Sequence, residues 1–166
     1  MILAIDPGNM QSAYVMLDEK LKPIDFGIID NEDLLDNISM GEFDKCADFA
    51  IEMVASYGMP VGKDVFETVF WIGRFWEAAR DSNCAYMERI YRMQEKTNLC
   101  HDSRAKDGNI RQALIDRFGP VGTKKNQGWF YGVSKDVWQA IAVGVTYYDM
   151  YCKDERAVVE IKEMEG

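Results

Sequence analysis

Three apolar runs of β-strand type lie within the first thirty residues, and this arrangement constrains the fold more than any other feature. The runs cover residues 2–5, 12–17 and 23–29, and Pro7-Gly8 ends the first. Strands joined by such short turns pair as antiparallel neighbours. The sequence therefore predicts that the chain begins with a three-stranded antiparallel meander.

Helices alternate with strands along the rest of the chain. Strands connected through a helix join a sheet in parallel by right-handed crossovers. The predicted elements are helix 31–38 with Asn31 as its N-cap, strand 48–55, helix 64–80, strand 85–91, helix 107–118 and a last helix from Ser134 to about Cys152. We therefore expect an α/β fold with a mixed five-stranded sheet, an antiparallel meander plus parallel additions, flanked by helices.

Helix 64–80 carries an apolar stripe at helical spacing. The stripe consists of Val65, Phe66, Val69, Phe70, Gly73, Trp76 and Ala79. A stripe of this kind is more often core than a ligand site, so we predict that it packs inside the protein.

Length and composition favour one domain. The 166 residues are 48% hydrophobic, which is enough to bury a core. We assign residues 1–152 to this domain and 153–166 to a charged C-terminal tail. No apolar run approaches the roughly 18 residues of a membrane span, and no basic segment precedes the first run, as it would in a signal peptide. With four cysteines at scattered positions, the pattern predicts reduced thiols, a cytoplasmic location and no membrane partner.

Charge is distributed unevenly along the chain. The net charge is −9, which by itself argues against a nucleic-acid partner. Residues 89–125, however, contain nine basic and four acidic residues, a local charge of +5, so the remainder carries −14. This asymmetry indicates a surface that attracts an anion. The alternative is an ordinary solvated helical face.

Two acidic residues interrupt apolar strands. Asp6 follows the first strand and Glu52 lies within the fourth, and neither has an Arg or Lys within four residues in sequence. A buried carboxylate is costly unless it is paired, neutralised or bound to a metal. If the two strands are neighbours, the two carboxylates project from one region, where a divalent cation would relieve their repulsion. The alternative for Asp6 is an Asx turn at the strand end.

Asp136 is the best candidate for a third acid. It lies in the predicted first turn of the last helix, and Gln139 follows three residues later on the same face. The alternative is that Asp136 only complements the helix dipole.

Three segments stand out along the chain: "ILAIDPGNMQSAYVML", "FAIEMVASYG" and "KDVWQAIAVGV". Together they resemble the RuvC family of Holliday junction resolvases, and its bacteriophage branch in particular. The resemblance spans residues 1–151, and the family has an RNase H-like fold. The resemblance implies that Asp6, Glu52 and Asp136 are catalytic ligands of two Mg²⁺ or Mn²⁺ ions per active site. Family members usually have an acid where this chain has Gln139, which would be a neutral and weaker ligand.

The resemblance also implies the reaction and the partners. The expected reaction is metal-dependent hydrolysis of a phosphodiester in four-way or other branched DNA, leaving a 5′-phosphate and a 3′-hydroxyl. Lys96 and Lys106 match the family's lysines and would bind phosphate near the scissile bond. A homodimer is expected, since a four-way junction has two-fold symmetry, and a phage-encoded chain would act in the bacterial cytoplasm. The expected DNA-binding residues are Tyr57, Arg89, Arg92, Arg104, Arg111, Lys124 and Lys125.

Several alternatives stay open from the sequence. One is a junction-binding protein that has lost its chemistry at Gln139, and another is an actin-like or sugar-kinase nucleotide-binding domain with Asp6 near phosphate. A third is a nuclease for branched DNA without junction preference. Tyr57 and the aromatic residues 129–131 would either stack on an opened base or simply pack on the domain. The aromatic helix 64–80 is a candidate for the dimer contact.

Overall fold

Five strands form one mixed sheet in the computed structural model, which describes residues 1–82 and 84–153. The strands are β1 (Ile2–Asp6), β2 (Gln11–Leu17), β3 (Pro23–Asp30), β4 (Asp48–Met53) and β5 (Tyr86–Tyr91). The helices are α1 (Asn31–Ser39), α2 (Lys63–Asp81), α3 (Arg92–Cys100), α4 (Asp107–Phe118) and α5 (Val137–Tyr147), and a π-helical turn (Tyr148–Cys152) extends the last.

The strand order is β3-β2-β1-β4-β5. β1 pairs antiparallel with β2, and β2 pairs antiparallel with β3, so the predicted meander is confirmed. β4 joins β1 in parallel, and β5 joins β4 in parallel, each after a helical connection. The predicted mixed five-stranded sheet flanked by helices is therefore confirmed.

Each face of the sheet covers its own apolar core. Because strand side chains alternate between faces, Leu3 and Ile5 of β1 pack with α1 and α2, whereas Ile2 and Ala4 pack with α4 and α5. Gly144 lets α5 lie directly on the sheet, since a Cβ there would come within 2.6 Å of the Leu17 side chain. This close approach brings the start of α5 towards the carboxyl end of β1.

A polar network holds the loop that follows β1. The Ser12 hydroxyl hydrogen-bonds to Asn31 Oδ1 at 2.6 Å and accepts the Gly8 N–H at 3.2 Å, while Asn31 Nδ2 donates to the Gly8 carbonyl at 2.9 Å. The prediction that Asn31 caps α1 is wrong, because Asp30 occupies the N-cap position and Asn31 is the buried first residue of the helix. Its side chain instead fixes the turn next to Asp6.

The predicted apolar stripe of α2 is wrong as a description of the core. The residues that α2 buries are Thr68, Ile72, Phe75 and Ala79, and only Ala79 belongs to the stripe. Phe66 and Phe70 are 64% and 59% exposed. The helix is apolar on more than one side, so periodicity alone does not identify the buried side.

The helices differ from the prediction in two places. The sequence pattern did not predict helix α3, and α5 begins at Val137 instead of Ser134. Of the charged tail predicted for residues 153–166, only Lys153 lies within the described residues. Among the described helices, none combines the length and the apolar character needed to cross a membrane.

Candidate active site

Asp6 is the last residue of β1, and Glu52 is the last but one of β4, its parallel neighbour. Ile5 of β1 pairs with Ile51 of β4, so the next residue of each strand lies at the same sheet edge. Alternation places both side chains on the face covered by α5, the face that Ala4 and Ala50 also line. The strand neighbourhood on which the predicted acidic site depends is therefore present.

The two carboxyl groups are half-buried and lie close enough to influence each other's pKa. Burial, followed by the charge and the hydrogen bond of Glu52, raises the pKa of Asp6 to about 9. Burial also raises the pKa of Glu52, while nearby Arg92 opposes that rise. A hydrogen bond between two carboxyl groups requires a proton on one of them, and a cation could replace that proton.

Asp136 and Gln139 approach this pair from α5. Asp136 is exposed at the N-cap position of α5 and makes no side-chain capping bond. Its charge contributes to the raised pKa of Asp6, which places it within electrostatic reach of the pair. Gln139 is half-buried, and its Oε1 accepts a hydrogen bond from Arg92 Nη1 at 2.5 Å. The amide oxygen expected to face a metal is thus engaged by a side chain.

Arg92, the first residue of α3, lies among the acids. Its Nη1 is 2.8 Å from Glu95 Oε2 and 3.9 Å from Glu52 Oε2, and its Nη2 forms an ion pair with Asp107. Although burial lowers the pKa of Arg92, these carboxylates raise it above its usual value. Arg92 was predicted to bind DNA, but the structure places its guanidinium against the acidic cluster.

Glu95 is the site residue that sequence reasoning missed. Its side chain is completely buried, and Oε1 has no hydrogen-bond partner among the described residues. Burial, and then the charge of Glu52, raise the pKa of Glu95 well above its usual value. The only sequence signal is the spacing of three residues between Arg92 and Glu95, which permits an ion pair on a helix.

The donor set fits a divalent cation in its chemistry. Asp6, Glu52 and Asp136 offer the carboxylate oxygens that Mg²⁺ prefers. Burial first, and then the charges of the other two acids, raise the pKa of Asp6, and a cation would offset those charges. Within residues 1–82 and 84–153, however, no three acidic, histidine or cysteine side chains are already arranged to hold one metal ion. Binding at these three acids would therefore require side-chain adjustment.

The two predicted lysines occupy different surroundings. Lys96 of α3 is half-exposed, and its charge lowers the pKa of Glu52, so it lies near the acidic pair. Lys106 is exposed immediately before α4, where its backbone N–H donates to Asn109 Oδ1 at 2.9 Å. Of these two lysines, Lys96 is the one whose charge acts on Glu52.

The predicted DNA-binding residues other than Arg92 are exposed. Arg89 lies over the Trp76 ring at 5.7 Å and Arg111 over the Trp138 ring at 5.0 Å. An open groove of about 490 Å³ runs beside the acids and is lined by Asp107, Gly108, Arg111, Val133, Ser134, Lys135, Asp136, Trp138 and Gln139. The exposed set is Tyr57, Arg89, Arg104, Arg111, Lys124 and Lys125.

The candidate stacking aromatics separate into two groups. Tyr57 is 65% exposed and has a left-handed backbone (φ 46°), so most of its surface faces solvent. Phe130 is fully buried, and Trp129 stacks on Phe118, so both belong to the core. Tyr131 is 37% exposed.

Comparison with known proteins shows the fold. No protein-family model and no curated protein matches the sequence. The structure of Thermus thermophilus RuvC is similar, with a TM-score of 0.64 and 14% identity over 90% of this chain and 95% of that chain. T. thermophilus RuvC in complex with Holliday junction substrate is similar too, with a TM-score of 0.62 and 14% identity over 88% and 91% of the two chains. The chain therefore has a RuvC-like fold.

Proposed function

We propose that this chain is a metal-dependent endonuclease that cleaves four-way junctions or other branched DNA, of the RuvC type and its bacteriophage branch. The observation that carries the proposal is the position of Asp6 and Glu52 at the carboxyl ends of neighbouring strands, with Asp136 at the start of α5. The similarity of the fold to a RuvC captured with a Holliday junction substrate supports the substrate class. Recombination or repair of phage DNA would be the setting.

Each residue of the site has a proposed task. Asp6, Glu52 and Asp136 would hold Mg²⁺ or Mn²⁺, which supplies Lewis-acid charge and an activated water when bound. Lys96, next to Glu52, would bind a phosphoryl oxygen and offset its negative charge. Lys106 would contact a phosphate farther along the strand.

The basic surface would bind the DNA backbone. Arg104, Arg111, Lys124 and Lys125 are exposed, and Arg111 lines the groove beside Asp136. Since phosphate contacts release counterions, binding should weaken as salt rises. Tyr57, which is exposed, would stack on a base near the crossover.

A homodimer would match the symmetry of a four-way junction. The exposed apolar side of α2, which includes Phe66, Val69 and Phe70, offers a surface for the second copy. Sedimentation of the purified chain, compared with a Phe66→Ser/Phe70→Ser variant, tests this part of the proposal.

Cleavage of a synthetic four-way junction in Mg²⁺ or Mn²⁺ tests the activity, with Asp6→Asn as the inactive comparison. The wild type should release products with a 5′-phosphate and a 3′-hydroxyl, and Asp6→Asn should not. Equal rates for the two proteins would overturn the catalytic assignment. Y-forks and linear duplex in the same assay measure junction preference, and ATP binding by the same preparation tests the nucleotide-binding alternative.

A second candidate function is junction binding without cleavage. It is favoured by one observation, that Arg92 engages Gln139 where a further acid is usual in the RuvC family. Tight junction binding with no cleavage in either metal, and none gained by Gln139→Asp, would support it.

A further inference from the structure

Arg92 joins four separate parts of the site. Its guanidinium contacts Gln139 on α5, Glu95 on α3 and Asp107 at the start of α4, and it approaches Glu52 on β4. Arginine is charged at every working pH. The acidic cluster therefore already contains one fixed positive charge on the side where α3, α4 and α5 meet.

The neutral residue at position 139 suits this arrangement. The Gln139 amide gives Arg92 Nη1 an oxygen acceptor at 2.5 Å, and Oε2 of the fully buried Glu95, 2.8 Å away, is a second acceptor. A divalent ion using the Gln139 oxygen would have to displace the guanidinium or stand beside a like charge. Neither is favourable.

On the other side of the cluster, Asp6 and Asp136 form no ion pair with any described residue. The charges of Glu52 and Asp136 both act on Asp6. Arg92 Nη1 is 3.9 Å from Glu52, which is too far for a hydrogen bond. The acids proposed above to hold the metal therefore pair with Arg92 less closely than Glu95 does.

We propose that Arg92 replaces one of the two divalent ions expected from the RuvC resemblance, so that the site takes a single Mg²⁺ or Mn²⁺ per chain. The inference rests on the proposed function, since it presupposes a cation at Asp6, Glu52 and Asp136. It also accounts for Gln139 as the acceptor that holds the arginine in place.

The number of Mn²⁺ ions bound per chain tests the inference directly. The full-length protein is titrated with Mn²⁺, and the electron paramagnetic resonance signal of the free ion gives the bound number without any cleavage. The wild type should bind one ion. Gln139→Asp should also bind one, because Arg92 stays and pairs with the new carboxylate. Arg92→Gln/Gln139→Asp should bind two.

Arg89→Gln/Gln139→Asp is the matched control. It removes the same charge from β5, where Arg89 lies over Trp76 and away from the acids, so it should bind one ion. Thermal unfolding checks that each variant is folded. If the Arg92 variant does not fold, the Gln139→Asp protein alone decides, because it keeps the arginine.

The opposing outcomes differ from a failure of the proposed function. Two ions on the wild type or on Gln139→Asp would overturn the role of Arg92 and leave the proposed nuclease intact. One ion on the folded Arg92→Gln/Gln139→Asp protein would also overturn that role. Arg92 would then only stabilise the packing of the helices that it contacts. No bound ion on the wild type would remove the proposed function and this inference together.

Discussion

Strand β4 carries two acidic side chains on the face that packs against α5, and their surroundings differ. Asp48, at its start, is 8% exposed and accepts a hydrogen bond from the Tyr147 hydroxyl at 2.9 Å. Glu52, four residues on, lies against the carboxyl group of Asp6. Burial and Asp48 raise the pKa of Tyr147, so its hydroxyl stays protonated and keeps donating.

This difference separates a structural acid from a candidate catalytic one. Both residues are acids of one strand facing one helix, so neither burial nor secondary structure distinguishes them. The distinguishing feature is the partner, because a hydroxyl donor satisfies a carboxylate whereas a second carboxylate repels it. We therefore expect changes at Asp48 to affect folding and changes at Glu52 to affect cleavage.

The largest expected effect is on cleavage. Glu52→Gln should lower the rate of four-way junction cleavage by about a thousandfold or more, which corresponds to about 4 kcal/mol of transition-state stabilisation. Asp48→Asn is the control on the same strand and should stay within about threefold of the wild type, since its amide oxygen still accepts from Tyr147. Equal losses of cleavage rate in Glu52→Gln and Asp48→Asn would contradict the distinction between a catalytic and a structural acid on β4.

The next effect is on stability, and it depends on pH. The folded pKa of Asp6, about 9, is higher than its usual 3.8. As pH rises above 4 the unfolded chain loses this proton while the folded chain keeps it, so stability falls progressively until about pH 9. In metal-free buffer, Asp6→Asn should therefore raise Tm at pH 8 by roughly 4–8 °C, equivalent to about 2 kcal/mol.

At pH 4 the same substitution should change Tm much less, because Asp6 is then protonated in the folded chain and close to half protonated in the unfolded chain. Thermal unfolding followed by circular dichroism at the two pH values measures the difference. A Tm gain of the same size at both pH values would mean that the pKa of Asp6 is not raised in the folded protein.

The smallest expected effect concerns the hydrogen bond between Tyr147 and Asp48 at the start of β4. Tyr147→Phe should lower the free energy of unfolding by about 1 kcal/mol, because Asp48 loses a donor in a buried place. Tyr151→Phe is the matched control, since Tyr151 stacks on Tyr147 but is 40% exposed. Urea unfolding compares the two, and junction cleavage should be unchanged in both. Slower junction cleavage by Tyr147→Phe would mean that the Asp48–Tyr147 hydrogen bond does more than stabilise the fold.

Sequence reasoning predicted the sheet and the central pair of the site from local signals. The apolar runs around Asp6 and Glu52 identify β1 and β4, and the helical connection between the meander and β4 explains their parallel pairing. These features depend on periodicity and chain order, which a single sequence contains.

The rest of the site depends on contacts that a single sequence does not display. Helix α3 has few apolar residues, and the residue it buries most completely is Glu95, whose burial depends on an ion pair with Arg92. A pattern of apolar residues cannot identify a helix that buries a charge. The contact from Arg92 to Gln139 spans 47 residues and exists only once α3 and α5 are packed.

The central claim is that the Asp6–Glu52 end binds a divalent cation whereas the Asp48 end does not. The direct test is the Tm of the wild type, Asp48→Asn and Asp6→Asn at pH 8, with Mg²⁺ or with NaCl of equal ionic strength. At a Mg²⁺ concentration 100 times its Kd, binding contributes about 2.7 kcal/mol, or roughly 5–10 °C for this chain length. We predict that shift in the wild type and in Asp48→Asn, and none in Asp6→Asn. The absence of a shift in the wild type, or an equal shift in Asp6→Asn, would contradict the claim.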